Sequence, residues 1–129
     1  MSTESEHLEK AARRLRVAKR LQAEGEYEDA VSRAYYAMYH AAMAALATVD
    51  IFPRTHTGTI TEFGRRFVLS GILPRELGRS LAELKAARET YEYDPTTSLG
   101  REEAEILIDE AERFVNKIMT YLEERKHER

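Results

Sequence analysis

The sequence predicts an all-α fold, an antiparallel up-and-down bundle of four long helices plus one shorter helix. Three observations lead there. Apolar residues recur at three- and four-residue spacing through five segments. No segment shows sustained alternation of the strand kind. The three prolines, Pro53, Pro74 and Pro95, fall between the helical segments. At 129 residues the chain is expected to form one domain, 1–129.

The elements follow in order. Residues from about 4 to 24 carry Leu8, Ala11, Leu15 and Ala18 on one stripe, and Gly25 is a natural stop. A second, alanine-rich helix runs from about 26 to 49 and is broken by Asp50-Ile-Phe-Pro53. A third, about 57 to 70, carries Ile60, Phe63 and Phe67. Gly71 and Pro74 interrupt the chain again, with Pro74 suited to the first turn of the fourth helix. That helix shows Leu77, Leu81, Leu84 and Tyr91. Asp94-Pro95-Thr-Thr-Ser98 is a turn, with Ser98 the expected N-cap of the fifth helix. The fifth helix, about 99 to 126, has Glu102 and Glu103 in its first turn, where the helix dipole favours them. Its apolar stripe is Ala104, Leu107, Ala111, Phe114, Ile118 and Tyr121.

Composition removes several classes of function. There are no cysteines, so a disulfide framework and thiolate metal sites are excluded. No apolar run approaches the roughly 20 residues needed to cross a bilayer, so no membrane association is expected. The first residues, MSTESEHLEK, are acidic and polar, unlike a signal peptide, and a cytoplasmic protein is expected. Net charge is −3, but unevenly spread. Between Arg54 and Arg88 seven Lys/Arg face three acids, and a second basic run spans Lys10 to Arg20. Such clustering permits an anion-binding surface, and equally a solvated face laced with ion pairs. There is no glycine-rich phosphate loop, no nucleotide fingerprint and no His-Glu-x-x-His metal motif, so neither cofactor nor metal is expected. His7 and His127, in polar end segments, are read as surface residues.

The second helix carries the chemistry. Arg33 and His40 are seven residues apart. They therefore fall about 20° apart on the helix wheel, with about 10.5 Å of rise between them. Tyr36, Ala37 and Met43 share that face. Alanines at 34, 37, 41, 42, 44 and 45 let neighbouring backbones come close. Histidine titrates near neutrality and moves protons to and from hydroxyls. Arginine is a permanent fork suited to a phosphate whose charge grows in a transition state. Together they suit phosphodiester cleavage. One His is a poor candidate for both base and acid, so a homodimer sharing two such stripes is expected. The alternative pairs Arg33 with a buried acid and hydrogen-bonds His40 in the core.

The string Ser32-Arg33-Ala-Tyr-Tyr-Ala-Met-Tyr-His40-Ala-Ala strongly resembles the HEPN domain family. Agreement continues through Thr55-His56-Thr-Gly58, Phe63-Gly64, Gly71-Ile-Leu-Pro74, Arg88, Tyr93-Asp94 and Ala111-Glu-Arg-Phe114-Val115. The resemblance is to the short stand-alone branch of the family. It implies a helical bundle, usually dimeric, whose active members are metal-independent ribonucleases using an Arg, four to six residues, then a His. Arg33 and His40 match that pattern as catalytic residues. Many members pair with a minimal nucleotidyltransferase as toxin and antitoxin. Active members often carry a polar residue directly after the Arg, where this chain has Ala34. Tyr36, His56, Arg88, Tyr93 and Asp94 are the candidate RNA- or nucleotide-binding residues. Tyr35, Tyr36 and Tyr39 suit base stacking or core packing. His56 suits anion binding at a helix N-terminus or a capping role, and Arg88 a phosphate or an acid. Non-catalytic nucleotide binding, or docking of a nucleotidyltransferase, are the other functions the sequence allows.

Overall fold

Tight turns bring helix after helix back onto α2 (Tyr27–Ala47) in a computed structural model that describes residues 2–128. The other elements are α1 (Thr3–Ala23), α3 (His56–Phe63), α4 (Arg75–Tyr93) and α5 (Arg101–His127). The result is an antiparallel helical bundle of four long helices and one shorter one, with no strand among the described residues. α2 is the central element and touches all four others, most extensively α1.

The local chemistry sets each boundary. Ser2 caps α1 by accepting the Ser5 N–H at 3.1 Å. Gly25 ends it at φ +83°. Its N–H donates to Gln22 O (3.1 Å) and that of Glu26 to Leu21 O (2.9 Å), closing a left-handed C-terminal cap. Asp50, at φ 59°, closes α2 with a similar bond from Ile51 N–H to Leu46 O.

Three boundaries differ from expectation. The third helix is not continuous to residue 70. After Phe63 the chain makes a π-helical turn, Gly64–Val68, with Leu69 N–H donating to Gly64 O at 2.8 Å. This wider turn puts Phe63 and Phe67 both in the core, their rings 5.7 Å apart. Pro74 is the extended residue before α4 rather than its first helical one. Ser98 does not cap α5; the extended Gly100 takes the cap position, because Leu99 is drawn into the core before the helix starts.

The core is built on the small face of α2. Ala30, Ala34, Ala37, Ala41, Ala42, Ala44 and Ala45 are all fully buried within the single chain. Phe63, Phe67 and Phe114 fill the space beneath α3 and α5. On α5 the buried stripe runs Ala104, Ile108, Ala111, Phe114, Val115, Ile118 and Leu122, while Leu107 and Tyr121 flank it. Much of the charge clustering resolves into helical pairs that reach solvent, Arg66–Glu62, Lys85–Glu89, Arg88–Glu92 and Arg101–Glu105, of which Arg88 is the most buried member. Each pair contributes little to stability.

Glu110 is the clearest defect in this packing. Its Oε2 is buried without a partner, and burial together with the neighbouring Glu83 carboxyl pushes its pKa up. A raised folded-state pKa means the ionised form opposes folding at neutral pH, and stability is recovered as pH falls through that pKa. Glu110→Gln removes the charge and offers Glu83 a donor. Its melting temperature at pH 7 should rise by about 2–5 °C, with a smaller gain on mild acidification than in the parent. Thermal unfolding of both proteins at pH 7 and pH 5 checks this.

Candidate active site

The face of α2 left uncovered by the alanine packing is narrow, and it carries the polar residues. Arg33 is exposed and forms no ion pair among the described residues. It lines an open groove of about 460 Å³ with Val17 and Leu21 of α1, Asp29, Ser32 and Tyr36 of α2, and Arg88 and Glu92 of α4. Pairing of Arg33 with a buried acid is therefore not the arrangement found. Ala34, the position after the Arg, is fully buried, so a polar side chain there would face the core instead of the groove.

His40 lies two turns further along, half-buried at the seam with α1. Its Nδ1 is 3.0 Å from the Nδ1 of His7, and the two rings stack at 5.2 Å. The expectation that His7 is a surface residue is corrected here. α1 is ordered from Thr3, and His7 sits one turn before Ala11 on the side facing α2. The 7, 11, 14, 18 spacing was the signal that could have found it. His127, by contrast, is exposed, with its Nε2 3.2 Å from Glu123. Burial lowers the His40 pKa to about 4, reinforced by His7, Lys10 and Arg14 of α1 and by His56 of α3. His40 is therefore neutral at physiological pH, as a proton acceptor must be.

His56 opens α3. Thr55 caps that helix, its Oγ1 accepting the Gly58 N–H at 2.9 Å, so His56 is not the cap. A Cβ at Gly58 would come within 2.9 Å of that oxygen, so a larger residue there would make the Thr55 cap shift. His56 instead joins an aromatic cluster. Its Nδ1 is 3.0 Å from the Tyr35 hydroxyl, and its ring stacks on Tyr39 at 4.2 Å. Its pKa is lowered by burial first, then by Arg88 and Lys85. Burial pushes the Tyr35 hydroxyl up to about 12, so it stays protonated.

Arg88 reaches this cluster from α4. Its guanidinium lies 5.1 Å from the Tyr36 ring centre and 5.7 Å from that of Tyr35, within cation–π range. One nitrogen meets Glu92 at 3.0 Å, while the Nε is buried with no partner. Glu92, on the groove wall, was not singled out in the sequence; its i+4 spacing from Arg88 was the available signal. Tyr36, His56 and Arg88 are thus brought together. Tyr93 and Asp94 are used elsewhere. Tyr93 is 72% exposed at the end of α4. Asp94 accepts from Thr96 N–H (2.9 Å) and Thr96 Oγ1 (2.6 Å), a local turn that ends the helix and holds its carboxyl below the usual range.

In sum, an exposed permanent cation and a neutral imidazole share one stripe, flanked by stacked aromatic rings and a second guanidinium. That set suits a phosphate with adjoining bases or sugars. No helix among the described residues is long and apolar enough to cross a membrane.

Comparison with known proteins gives the arrangement a family. Over 117 residues the chain is 40% identical to "Putative toxin MJ0605" of Methanocaldococcus jannaschii, covering 91% of this chain and 87% of that one. It is 36% identical over 115 residues to "Putative toxin MJ0142" of the same organism, covering 89% and 78%. To "UPF0332 protein glr0978" of Gloeobacter violaceus it is 32% identical over 116 residues, covering 89% and 92%. The HEPN domain family matches residues 5–124, nearly the whole bundle including every residue of the α2 stripe, and the chain belongs to that family.

Proposed function

We propose that this protein is a metal-independent endoribonuclease that works as a homodimer, the toxin-like partner of a minimal nucleotidyltransferase. One observation carries the reading: Arg33 is exposed and unpaired among the described residues, on the same α2 stripe as a neutral, half-buried His40. The toxin names of two relatives support the biological role.

The chemistry follows from the two residues. Neutral His40 takes the proton of an RNA 2′-hydroxyl as that oxygen attacks the adjacent phosphorus. Arg33 holds the phosphate oxygens as their charge grows. The 5′-oxygen of the next nucleotide leaves and takes its proton from solvent water, because the His40 of the second copy is neutral as well. Tyr36 and Arg88 hold the flanking nucleotide. The alanines of α2 are consumed inside one chain, so the seam between copies would lie along the Arg33–Tyr36–His40 edge. The second reading, a module that binds RNA or docks the nucleotidyltransferase without cleaving, is favoured by one feature. Asp29 and Glu92 balance Arg33 and Arg88 in the groove.

His40→Ala should lower RNA cleavage by roughly 10²–10⁴. Arg33→Lys should be severely impaired, because a point charge does not reproduce the fork. Wild-type cleavage should survive EDTA and spare DNA, which lacks the 2′-hydroxyl. Arg33→Lys should leave the melting temperature nearly unchanged, since the side chain is exposed. Loss of stability with no cleavage defect in either variant would end the enzyme reading. Light scattering at micromolar concentration should give twice the 14.9 kDa chain mass.

The pH dependence has a definite sign. The folded-state pKa of His40, about 4, lies below the ordinary 6.5. The unfolded chain then binds more protons between those values, and stability falls as pH drops through that window. His40→Gln should flatten the decline in melting temperature between pH 6.5 and pH 4, while His7 and His56, also lowered, keep part of it. The acidic limb of kcat/KM should likewise lie near pH 4 in the wild type.

A further inference from the structure

The His7–His40 contact joins two nitrogens of the same kind, and that restricts where protons can sit. A neutral imidazole carries one N–H and one lone pair. Two Nδ1 atoms at 3.0 Å share a hydrogen bond only when one of them is protonated and the other is not. If His7 donates, His40 keeps its own proton on Nε2 and that nitrogen is a donor. If His40 donates, its Nε2 carries a free lone pair.

Only the second arrangement survives proton uptake by His40; the first would instead leave His7 as the ring free to take a proton. Once His40 Nε2 accepts a proton, both its nitrogens are donors, and the Nδ1–H still needs an acceptor opposite. We propose that His7 is the positioning residue of His40: its Nδ1 accepts the His40 Nδ1–H across the α1–α2 seam and holds His40 in the tautomer whose Nε2 is free to take a proton. The contact itself requires only that one ring donates to the other; the choice of His40 as donor rests on the ribonuclease reading, in which His40 takes the proton. The role is that of the group that orients the base in a nucleophile–base–orienter set, here filled by a second imidazole on another helix.

The surroundings fit a single shared proton. His40 is faced by Lys10 and Arg14 from α1, by His7, and by His56 from α3. His7 is faced by Lys10 and, in the opposite sense, Glu6 on its own helix. Burial first, and the cations after it, disfavour a further proton on either ring, and both pKa values are lowered. The contact spans 33 residues of sequence and joins α1 to the middle of α2, the most extensive helix pair in the fold. The packing that builds the core therefore also holds the ring pair in register.

Long-range ¹H–¹⁵N correlation of the histidine rings in the full-length protein at pH 7 reads this directly. His40 should show a protonated Nδ1 and an unprotonated Nε2. In His7→Phe, which keeps a ring but no acceptor, His40 should move toward the Nε2–H tautomer that free histidine prefers. His7→Asn, which restores an oxygen acceptor near the same place, should restore the wild-type pattern. RNA cleavage should follow the competent fraction: kcat lower by roughly tenfold in His7→Phe with KM unchanged, and largely recovered in His7→Asn. A wild-type His40 already protonated on Nε2 overturns the proposal, without any variant having to fold. So does a His40 tautomer that ignores His7→Phe. Should the predicted tautomers appear while no form of the protein cleaves RNA, His7 stands as the residue that positions His40 and the ribonuclease reading alone fails.

Discussion

The methyl-sized face of α2 is the constraint on which the rest of the structure depends. Seven alanines along that helix are fully buried, so α1 and α5 can approach its backbone closely. A larger side chain at any of these positions would force the helices apart, and overpacking of this kind typically costs about 1–3 kcal/mol. With α2 enclosed on most sides, its remaining surface is a strip. Arg33, Tyr36, Tyr39 and His40 occupy that strip.

Closeness to the core governs the electrostatics of the strip. His7, His40 and His56 each lose solvent and lie near cations of α1 or α4, and all three are held below their ordinary pKa. Arg33, at the mouth of the groove, keeps its water and its charge. Arg88, with its side chain 18% exposed, keeps its charge by another route: one carboxylate and two aromatic faces. The strip thus separates permanent positive charge from neutral, proton-accepting rings within two helical turns. Such a division suits a reaction in which a phosphate gains charge while a hydroxyl loses a proton. The carboxylates of Asp29 and Glu92 line the same groove and offset part of its positive charge.

The differences between expectation and structure have physical causes in particular residues. Ser98 has the right side chain for a cap, but Leu99 gains more by entering the core, and the helix starts after it. The run from 57 to 70 has helical periodicity throughout, but both Phe63 and Phe67 need burial, and a π-helical turn satisfies them. His7 looked like a solvated terminal residue because its neighbours Glu6 and Glu9 are acidic. Its partner is a residue 33 positions away, which local pattern cannot register.

Periodicity and prolines by themselves determined the number of helices, their order and most of each buried stripe, and the Arg33/His40 spacing placed those two residues on one face of α2. Those features depend on contacts within one or two helical turns, where sequence spacing and spatial spacing coincide. Tertiary packing alone decided the rest. It placed His7 against His40, set His56 on Tyr39, leaned Arg88 over Tyr35 and Tyr36, and left Tyr93 and Asp94 outside the cluster. Each of those outcomes depends on how side chains from different helices share a limited volume. That is a property of the assembled core, and no single segment carries it.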